Sequence, residues 1–292
     1  MNTIVKILIL LLFITSCADS KRETPIGMSP YVFRHTSGWN AATAIVKEDT
    51  TRLKEYLNRN PYLLYVKDPY YGHSLLSTAV MNNKLNSVRI LLNHGFDPNF
   101  NDCANSIQTN PVIMAASSSN PVSTDVLKLL LEHGGNPNSK QKYRLSWDED
   151  SLYLYNRHAI SFAANNNLEK VKLLLEYGAE INPPEGESPI CSATVMDNMD
   201  IVMYLLEHGA DYRVSFEYPG YLRDSVFVRT LPEQLRNCLI PLDSKQYEYK
   251  MKIVEFLKER GMDYKSTEIP IYTLKRIQKI YPTTWQKYIK VY

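Results

Sequence analysis

The sequence predicts an all-α solenoid of about six helix-turn-helix repeats, with long insertions between repeats and a helical cap at the C-terminal end. Two observations predict this architecture. First, a segment with apolar residues at helical spacing and a terminal Gly recurs five times along the 292 residues. Second, four of these segments follow a shorter one that carries a small Ala, which lets two helices approach closely.

The first residues differ from the repeats in composition and are typical of an export signal. Lys6 precedes an unbroken apolar run from Ile7 to Ile14, which is too short to span a bilayer. The run ends in Ile14-Thr15-Ser16-Cys17, which resembles the lipobox of bacterial lipoproteins. The resemblance implies cleavage before Cys17 and acylation of that residue, while a plain secretory signal with an unrelated Cys is the alternative.

These boundaries give the predicted domain organisation. Residues 1–16 form the signal peptide, and residues 17–37, which are polar and aperiodic, form a tether. Residues 38–264 hold the repeats, and residues 265–292 form the cap.

The first repeat is degenerate. Ala44 opens its short helix, while Leu53 and Leu57 line its long helix. The long helix closes in Asn60-Pro61 rather than in Gly, because proline cannot continue a helix.

The five later long helices share one ending. Each stops at a Gly that can adopt the left-handed conformation of a helix C-terminus, and these residues are Gly95, Gly134, Gly178, Gly209 and Gly261. Turn-forming tails such as Asp97-Pro98-Asn99 then lead the chain out of the helix.

The short helices carry a family resemblance. Ser188-Pro189-Ile190 and Asn110-Pro111-Val112 begin two of them, each followed by its small Ala. This pattern resembles the T-P-L-H-x-A signature of ankyrin repeats, whose unit is about 33 residues long. The resemblance covers residues 38–264 and implies a concave surface lined by short helices and inter-repeat turns, with the long helices behind it.

The repeat spacing departs from that unit. Successive terminal glycines lie 39, 44, 31 and 52 residues apart, so extra residues must leave the stack as loops. We place these loops at residues 100–109, 139–156 and 214–224 between repeats, and at residues 117–123 between two helices. Residues 231–247 fall between the two helices of the last repeat and have room for an additional helix.

The last segment combines apolar spacing with basic and aromatic residues. Its apolar residues are expected to cover the end of the last repeat, since an uncapped solenoid exposes its core to water; they are Ile269, Ile271, Leu274, Ile277, Ile280 and Trp285. Basic residues interleaved with aromatics bind single-stranded nucleic acid in some proteins. Export and a formal net charge of only +2 argue against nucleic acid, and a charged outer face of the cap explains the pattern.

No arrangement of side chains predicts catalysis, a metal or a cofactor. His94, His133 and His208 recur once per repeat just before the terminal Gly, where a His can bond helix carbonyls. The acidic run Asp148-Glu149-Asp150 lacks calcium-loop spacing and is interpreted as a solvated loop. The motifs GxSxG, HExxH, GxGxxG and the P-loop do not occur.

The remaining cysteines are odd in number after processing at Cys17. Cys103, Cys191 and Cys238 form no CxxC pair, which argues against a disulfide framework or a zinc site. A single bridge between two of them stays open.

The predicted contact residues are aromatics and acids in the turns between repeats, where side chains are free of packing duties. Large aromatics with charge nearby are typical of interface hot spots, although each could instead fold back onto its own repeat. These residues are Tyr70, Tyr71, Phe100, Trp147, Asp148, Glu149, Asp150, Tyr218 and Tyr221.

Three functions are consistent with this sequence. The first two are an immunity lipoprotein that sequesters a toxin and a scaffold that holds or protects an envelope enzyme. The third is a hydrolase with its site in the insertions at 139–156 and 214–247. We predict a non-enzymatic, lipid-anchored protein that binds a protein partner outside the cytoplasm. By the same lipoprotein resemblance, Ala18 after Cys17 favours the outer membrane, facing the periplasm.

Overall fold

The computed structural model describes residues 26–104, 107–145, 153–219 and 226–292. Helix pairs follow one another along this part of the chain: α1 (Trp39–Lys47) and α2 (Thr50–Arg59), α3 (Leu75–Met81) and α4 (Leu85–Asn93), α5 (Pro111–Ser117) and α6 (Ser123–Glu132), α7 (Ala159–Ala164) and α8 (Leu168–Glu176), α9 (Pro189–Val195) and α10 (Met199–Glu207), α11 (Leu231–Leu235) and α12 (Lys245–Lys258).

The pairs stack into two rows. Each first helix packs against the first helix of the next pair, and each second helix does the same. This arrangement confirms the predicted solenoid, because every pair contacts its neighbours in sequence order.

The helix ends follow the predicted chemistry. Asn110 caps α5 by accepting a hydrogen bond from the Ile113 N–H at 3.0 Å, and Pro111 occupies the first helical position. All five terminal glycines have positive φ. After Gly178, for example, the Ala179 N–H donates to the Leu174 carbonyl at 2.8 Å and closes the helix.

Equivalent positions of the repeats build one continuous core. The fourth residue before each terminal Gly is a fully buried Leu: Leu91, Leu130, Leu174, Leu205 and Leu257. The small residues of the short helices are equally buried, and these are Ala79, Ala115, Ala163 and Ala193. The periodic apolar pattern therefore corresponds to the packed interior.

The insertions between repeats form β-hairpins, which the sequence patterns did not indicate. Strands β1 (Asp102–Ala104), β2 (Ile107–Thr109), β3 (Lys140–Leu145) and β4 (Tyr153–His158) make an antiparallel sheet in that order, and β5 (Phe216–Pro219) pairs with β6 (Val226–Arg229). Gln108 pairs with Lys142 from the next insertion. Such pairing arises only once the stack brings two distant loops together.

Residues 26–37 differ from the expected tether. They contain two 3-10 turns, Ile26–Met28 and Pro30–Phe33, and the side chains of Val32 and Phe33 are buried in the main core. Two apolar residues are too few to produce a periodic signal. Cys17 and the predicted signal peptide lie outside the described residues.

The last repeat also differs from expectation. The helix within residues 231–247 is α11, which is the first helix of the repeat itself, and the extra residues form its connection to α12. The Glu233 carboxylate accepts a hydrogen bond from the Thr230 N–H at 2.6 Å and so caps α11.

Two further helices, α13 (Ile271–Ile280) and α14 (Trp285–Val291), pack on that repeat. Ile277 and Tyr288 are buried there, and the Tyr288 hydroxyl donates to the Ile240 carbonyl at 3.2 Å. We refer to α13 and α14 as the cap helices. Ile271 and Ile280, expected among the packing residues, are exposed instead. None of the described helices combines the length and the apolar character that crossing a bilayer requires.

Candidate partner-binding surface

Three inter-repeat connections lie side by side along the helix rows. Lys67 forms an isolated β-bridge with Ser74, which closes a turn at residues 67–74. The Lys67 Nζ donates to the Asn101 carbonyl at 3.0 Å, and the β1–β2 hairpin in turn pairs with β3. The turn and the two hairpins β1–β2 and β3–β4 thus form one contiguous surface, which we call the hairpin strip.

A buried carboxylate shapes the first turn of the hairpin strip. Asp68 accepts hydrogen bonds from the backbone N–H groups of Tyr70, Tyr71 and His73 at 2.9, 2.6 and 2.7 Å. Three charge-assisted bonds fix the backbone that carries two of the predicted contact residues.

A second buried carboxylate joins this turn to the next hairpin. Asp102 begins β1 and accepts hydrogen bonds from the Ser74 N–H at 2.8 Å and from the Ser77 hydroxyl. Burial raises the pKa of Asp102 to about 6, against the opposing effect of these hydrogen bonds and of Lys67. Asp102 therefore couples the start of α3 to the following repeat.

The base of the β3–β4 hairpin is fixed against the loop that precedes α9. The Asn156 carbonyl accepts a hydrogen bond from the Glu187 N–H at 3.0 Å. The Arg157 Nε lies 2.8 Å from a Glu187 carboxylate oxygen, and both side chains are largely shielded from solvent. Lys140 pairs with Glu185 beside them. These contacts orient the hairpin relative to the repeat that follows.

An asparagine ladder holds successive repeats in line. The Asn138 amide donates to the Gly178 carbonyl at 3.2 Å, and its oxygen accepts from the Glu180 N–H at 2.8 Å. Asn99 and Asn182 make the same pair of contacts one repeat earlier and one repeat later. Each Asn thereby satisfies a helix-end carbonyl of its neighbour.

The predicted contact residues have different surroundings. Tyr70 is exposed, whereas Tyr71 is half-buried against the core and stacks on His73 with ring centroids 5.6 Å apart. Phe100 is half-buried, with the Lys67 Nζ 4.6 Å from its ring centroid. Tyr71 and Phe100 thus fold back onto the scaffold, and Tyr70 projects from it.

The other predicted contact residues fall largely outside the description. Tyr218 belongs to β5, where its backbone pairs with Phe227, and its side chain is not among those described. Trp147, Asp148, Glu149, Asp150 and Tyr221 lie outside the described residues. Their part in binding stays a prediction.

Further exposed side chains were missed by the sequence analysis. Tyr62 and Tyr65 are exposed in the 3-10 turn Pro61–Tyr65, where residues three apart lie on the same side. Asn60-Pro61 signals this turn as well as the end of α2. Val195 and Met196 are exposed at the end of α9. In the sequence they continue the apolar pattern of that helix, so the pattern does not distinguish them from buried residues.

The recurrent histidines bond helix carbonyls as predicted. Nδ1 of His94 lies 2.7 Å from the Ile90 carbonyl, and Nδ1 of His133 lies 2.9 Å from the Leu129 carbonyl. In the part of the chain that the structure describes, no three His, Cys, Asp or Glu side chains group in a way that could hold a metal.

Two of the cysteines pack inside the repeats. Cys191 and Cys238 are buried, and the Cys238 thiol donates to the Thr194 carbonyl at 3.4 Å. Cys103 belongs to β1, and its side chain is not among those described.

Comparison with known proteins gives one consistent result. Residues 36–141 and 145–215, more than half of the chain, match a family model described as ankyrin repeats, in three copies. Ankyrin repeat and SOCS box protein 6 of Homo sapiens is 26% identical over 174 residues, which cover 59% of this chain and 37% of that protein. A putative ankyrin repeat protein of Acanthamoeba polyphaga mimivirus is 26% identical over 199 residues, 67% of this chain and 47% of that protein. The chain spans less than half the length of these relatives.

Proposed function

This chain belongs to the ankyrin repeat family, a family of protein-interaction modules, and we propose that it binds a protein partner through the hairpin strip and the adjoining row of first helices. The side chains of Tyr70 on these turns and of Met196 at the end of α9 are open to solvent, so their chemistry is available for a partner. The contacts around Asp68, Asp102 and Glu187 keep this surface rigid, which lowers the entropy lost on binding.

The observation that carries this proposal is the exposure of three tyrosines: Tyr70 on the hairpin strip, and Tyr62 and Tyr65 in the 3-10 turn that precedes it. Tyr62, Tyr65 and Tyr70 leave 78%, 73% and 65% of their surface open to solvent between α2 and α3. A tyrosine offers a large rigid ring and a hydroxyl, and such side chains dominate binding energy when a partner desolvates them.

Site-specific photo-crosslinking in intact cells tests this surface. A photoreactive phenylalanine analogue at Tyr70 or Met196 is expected to give an adduct of defined mass. The same analogue at Lys54 or Lys128, which are exposed on the second helices α2 and α6, serves as the matched control. Adducts formed only from Lys54 or Lys128 would place the interface on the other row of helices and contradict the proposal.

Alanine variants then measure the contribution of individual side chains. Tyr70→Ala is expected to lower the yield of the Met196 adduct at least fivefold, since hot-spot truncation costs more than about 1 kcal/mol. Tyr71→Ala is unsuitable for this purpose because Tyr71 packs on the core.

We propose further that the partner is met outside the cytoplasm and that the chain is lipid-anchored at Cys17. Lys6, the apolar run to Ile14 and the lipobox-like sequence support this. The nine residues from Cys17 to the first turn at Ile26 reach at most about 30 Å, so the repeats would stay close to the bilayer. Fatty-acid labelling that persists in a Cys17→Ser variant would contradict this anchor.

A toxin and an envelope enzyme are the two partner classes that we propose. Rescue of growth in cells that express a toxin encoded beside this protein would establish the immunity role. If deletion of this protein abolishes the activity of an envelope enzyme but does not change how well cells survive the toxin, the protective role would be established.

A further inference from the structure

Helix α13 exposes a basic face that its packing does not require. Thr273 and Ile277 are fully buried on one side of the helix. On the other side, Lys275, Arg276 and Lys279 are exposed. The helix thus has a buried face toward the last repeat and an outer face toward solvent, which we call the basic face.

Aliphatic side chains stand at both ends of the basic face. Ile271 and Ile280, the first and last residues of α13, leave 74% and 53% of their surface exposed. Positions four residues apart share a helix side, which aligns Ile271 with Lys275 and Lys279. Exposed isoleucines are unfavourable in water, so this combination points to an environment that is both anionic and partly apolar.

The charge of the molecule is unevenly distributed. Residues 265–292 carry six basic side chains and one acid, Glu268, whereas residues 38–264 carry 23 basic and 28 acidic side chains. Ion pairs in the described repeats include Lys84 with Glu48 at 3.5 Å and Arg157 with Glu187 at 2.8 Å. Among the described residues, no ion pair involves a cation of the basic face. Its charge is therefore available to an external anion.

We propose that the basic face of α13 docks on an anionic lipid surface. Lysine and arginine bind headgroup phosphates, while exposed aliphatic side chains enter the interfacial region. The convex outer side of a single ten-residue helix suits a flat bilayer better than a protein partner, whose hot spots need enclosing pockets. The short segment between the predicted anchor at Cys17 and the repeats adds support, because it would keep the repeats close to the bilayer. Of these arguments, only this one rests on the proposed function.

Vesicle partitioning of the full-length, unacylated chain tests the proposal. Partition coefficients are measured on phosphatidylcholine vesicles with and without phosphatidylglycerol, and their ratio is compared between variants. The apolar N-terminal run acts on both vesicle types and cancels in the ratio. Each basic residue at an anionic surface contributes about fivefold, so Lys275→Gln/Arg276→Gln/Lys279→Gln is expected to lower the ratio about a hundredfold.

The matched control removes the same residue types from the second helices. Lys54→Gln/Arg89→Gln/Lys128→Gln changes the net charge equally at exposed positions of α2, α4 and α6 and is expected to leave the ratio within about twofold. Lys275→Arg/Lys279→Arg keeps the charge and is expected to retain the parent ratio, which separates charge from any effect on folding.

Three outcomes would overturn the proposal. The parent ratio could be near one, or both triple variants could lower it equally, which would indicate net charge rather than this face. Soluble polyglutamate could also displace the chain from anionic vesicles at equal charge concentration, which would indicate an acidic protein partner. Each outcome leaves the crosslinking and fatty-acid labelling tests of the proposed function untouched.

Discussion

Two buried lysines connect separate segments of the repeat stack. Lys170 is fully buried, its Nζ donates to the Ala115 carbonyl at 2.7 Å, and burial lowers its pKa to about 8. Burial likewise lowers the pKa of Lys250 to about 7, and its Nζ donates to the Cys238 carbonyl at 3.1 Å. Their hydrogen bonds satisfy carbonyls of neighbouring segments, which offsets part of the desolvation cost.

Asp102 should make stability depend on pH. Its folded pKa is raised from 3.8 to about 6, so the stability that it contributes is present below about pH 4 and is lost as the pH rises through 6. Asp102→Asn keeps the hydrogen bond from Ser74 and removes this dependence. Relative to the variant, the parent should lose about 3 kcal/mol of unfolding free energy between pH 4 and pH 7.

Urea unfolding at several pH values measures this difference. The control is Asp243→Asn, an exposed carboxyl in the connection before α12. If the parent and Asp102→Asn curves run parallel from pH 4 to pH 7, Asp102 does not titrate as described.

At the scale of elements, the hairpins are attached to the stack by specific contacts. The β3–β4 hairpin meets the loop before α9 at Gly186, which has a φ of +83°. A Cβ at Gly186 would lie 2.0 Å from the Asn156 carbonyl oxygen. Only glycine therefore allows this hairpin and this loop to approach so closely.

Gly186→Ala should loosen the hairpin from the repeat that follows. In this variant the alanine must adopt a positive φ, which is strained, and its Cβ prevents the close approach to the Asn156 carbonyl oxygen. Gly178→Ala has the same φ strain at +88° but meets no atom within 4 Å. We expect Gly178→Ala to cost about 1 kcal/mol of unfolding free energy and Gly186→Ala about 1–3 kcal/mol more.

Hydrogen exchange distinguishes the two glycine variants. Faster exchange of the Glu187 amide, whose N–H bonds the Asn156 carbonyl, is expected only in Gly186→Ala. Equal stability of the two variants would show that the close approach does not contribute.

At the scale of the whole molecule, stability is distributed along the stack. A solenoid's stability is the sum of its repeats and of the contacts between neighbours. The asparagine ladder supplies one such contact at each of three successive joints, through Asn99, Asn138 and Asn182. Weakening the middle joint, at Asn138, should therefore allow the two halves of the stack to unfold less cooperatively.

Asn138→Ala removes both hydrogen bonds at that joint. Because Asn138 is only half-buried, water replaces part of the loss, and we expect a cost of about 1–2 kcal/mol together with a broader urea transition. Asn166→Ala, at an exposed Asn in the turn between α7 and α8, should leave the transition unchanged. A shift of the midpoint with an unaltered slope would show that the halves remain coupled.

The sequence by itself determined the repeats, their helix ends and their core. The Leu four residues before each terminal Gly and the small Ala of each short helix are local signals, repeated often enough to be unambiguous. Tertiary structure alone decided how the insertions pair, why Tyr71 folds back while Tyr70 projects, and which isoleucines of α13 face solvent. Those features depend on contacts between residues far apart in the chain, such as Gln108 with Lys142, and no local pattern encodes them.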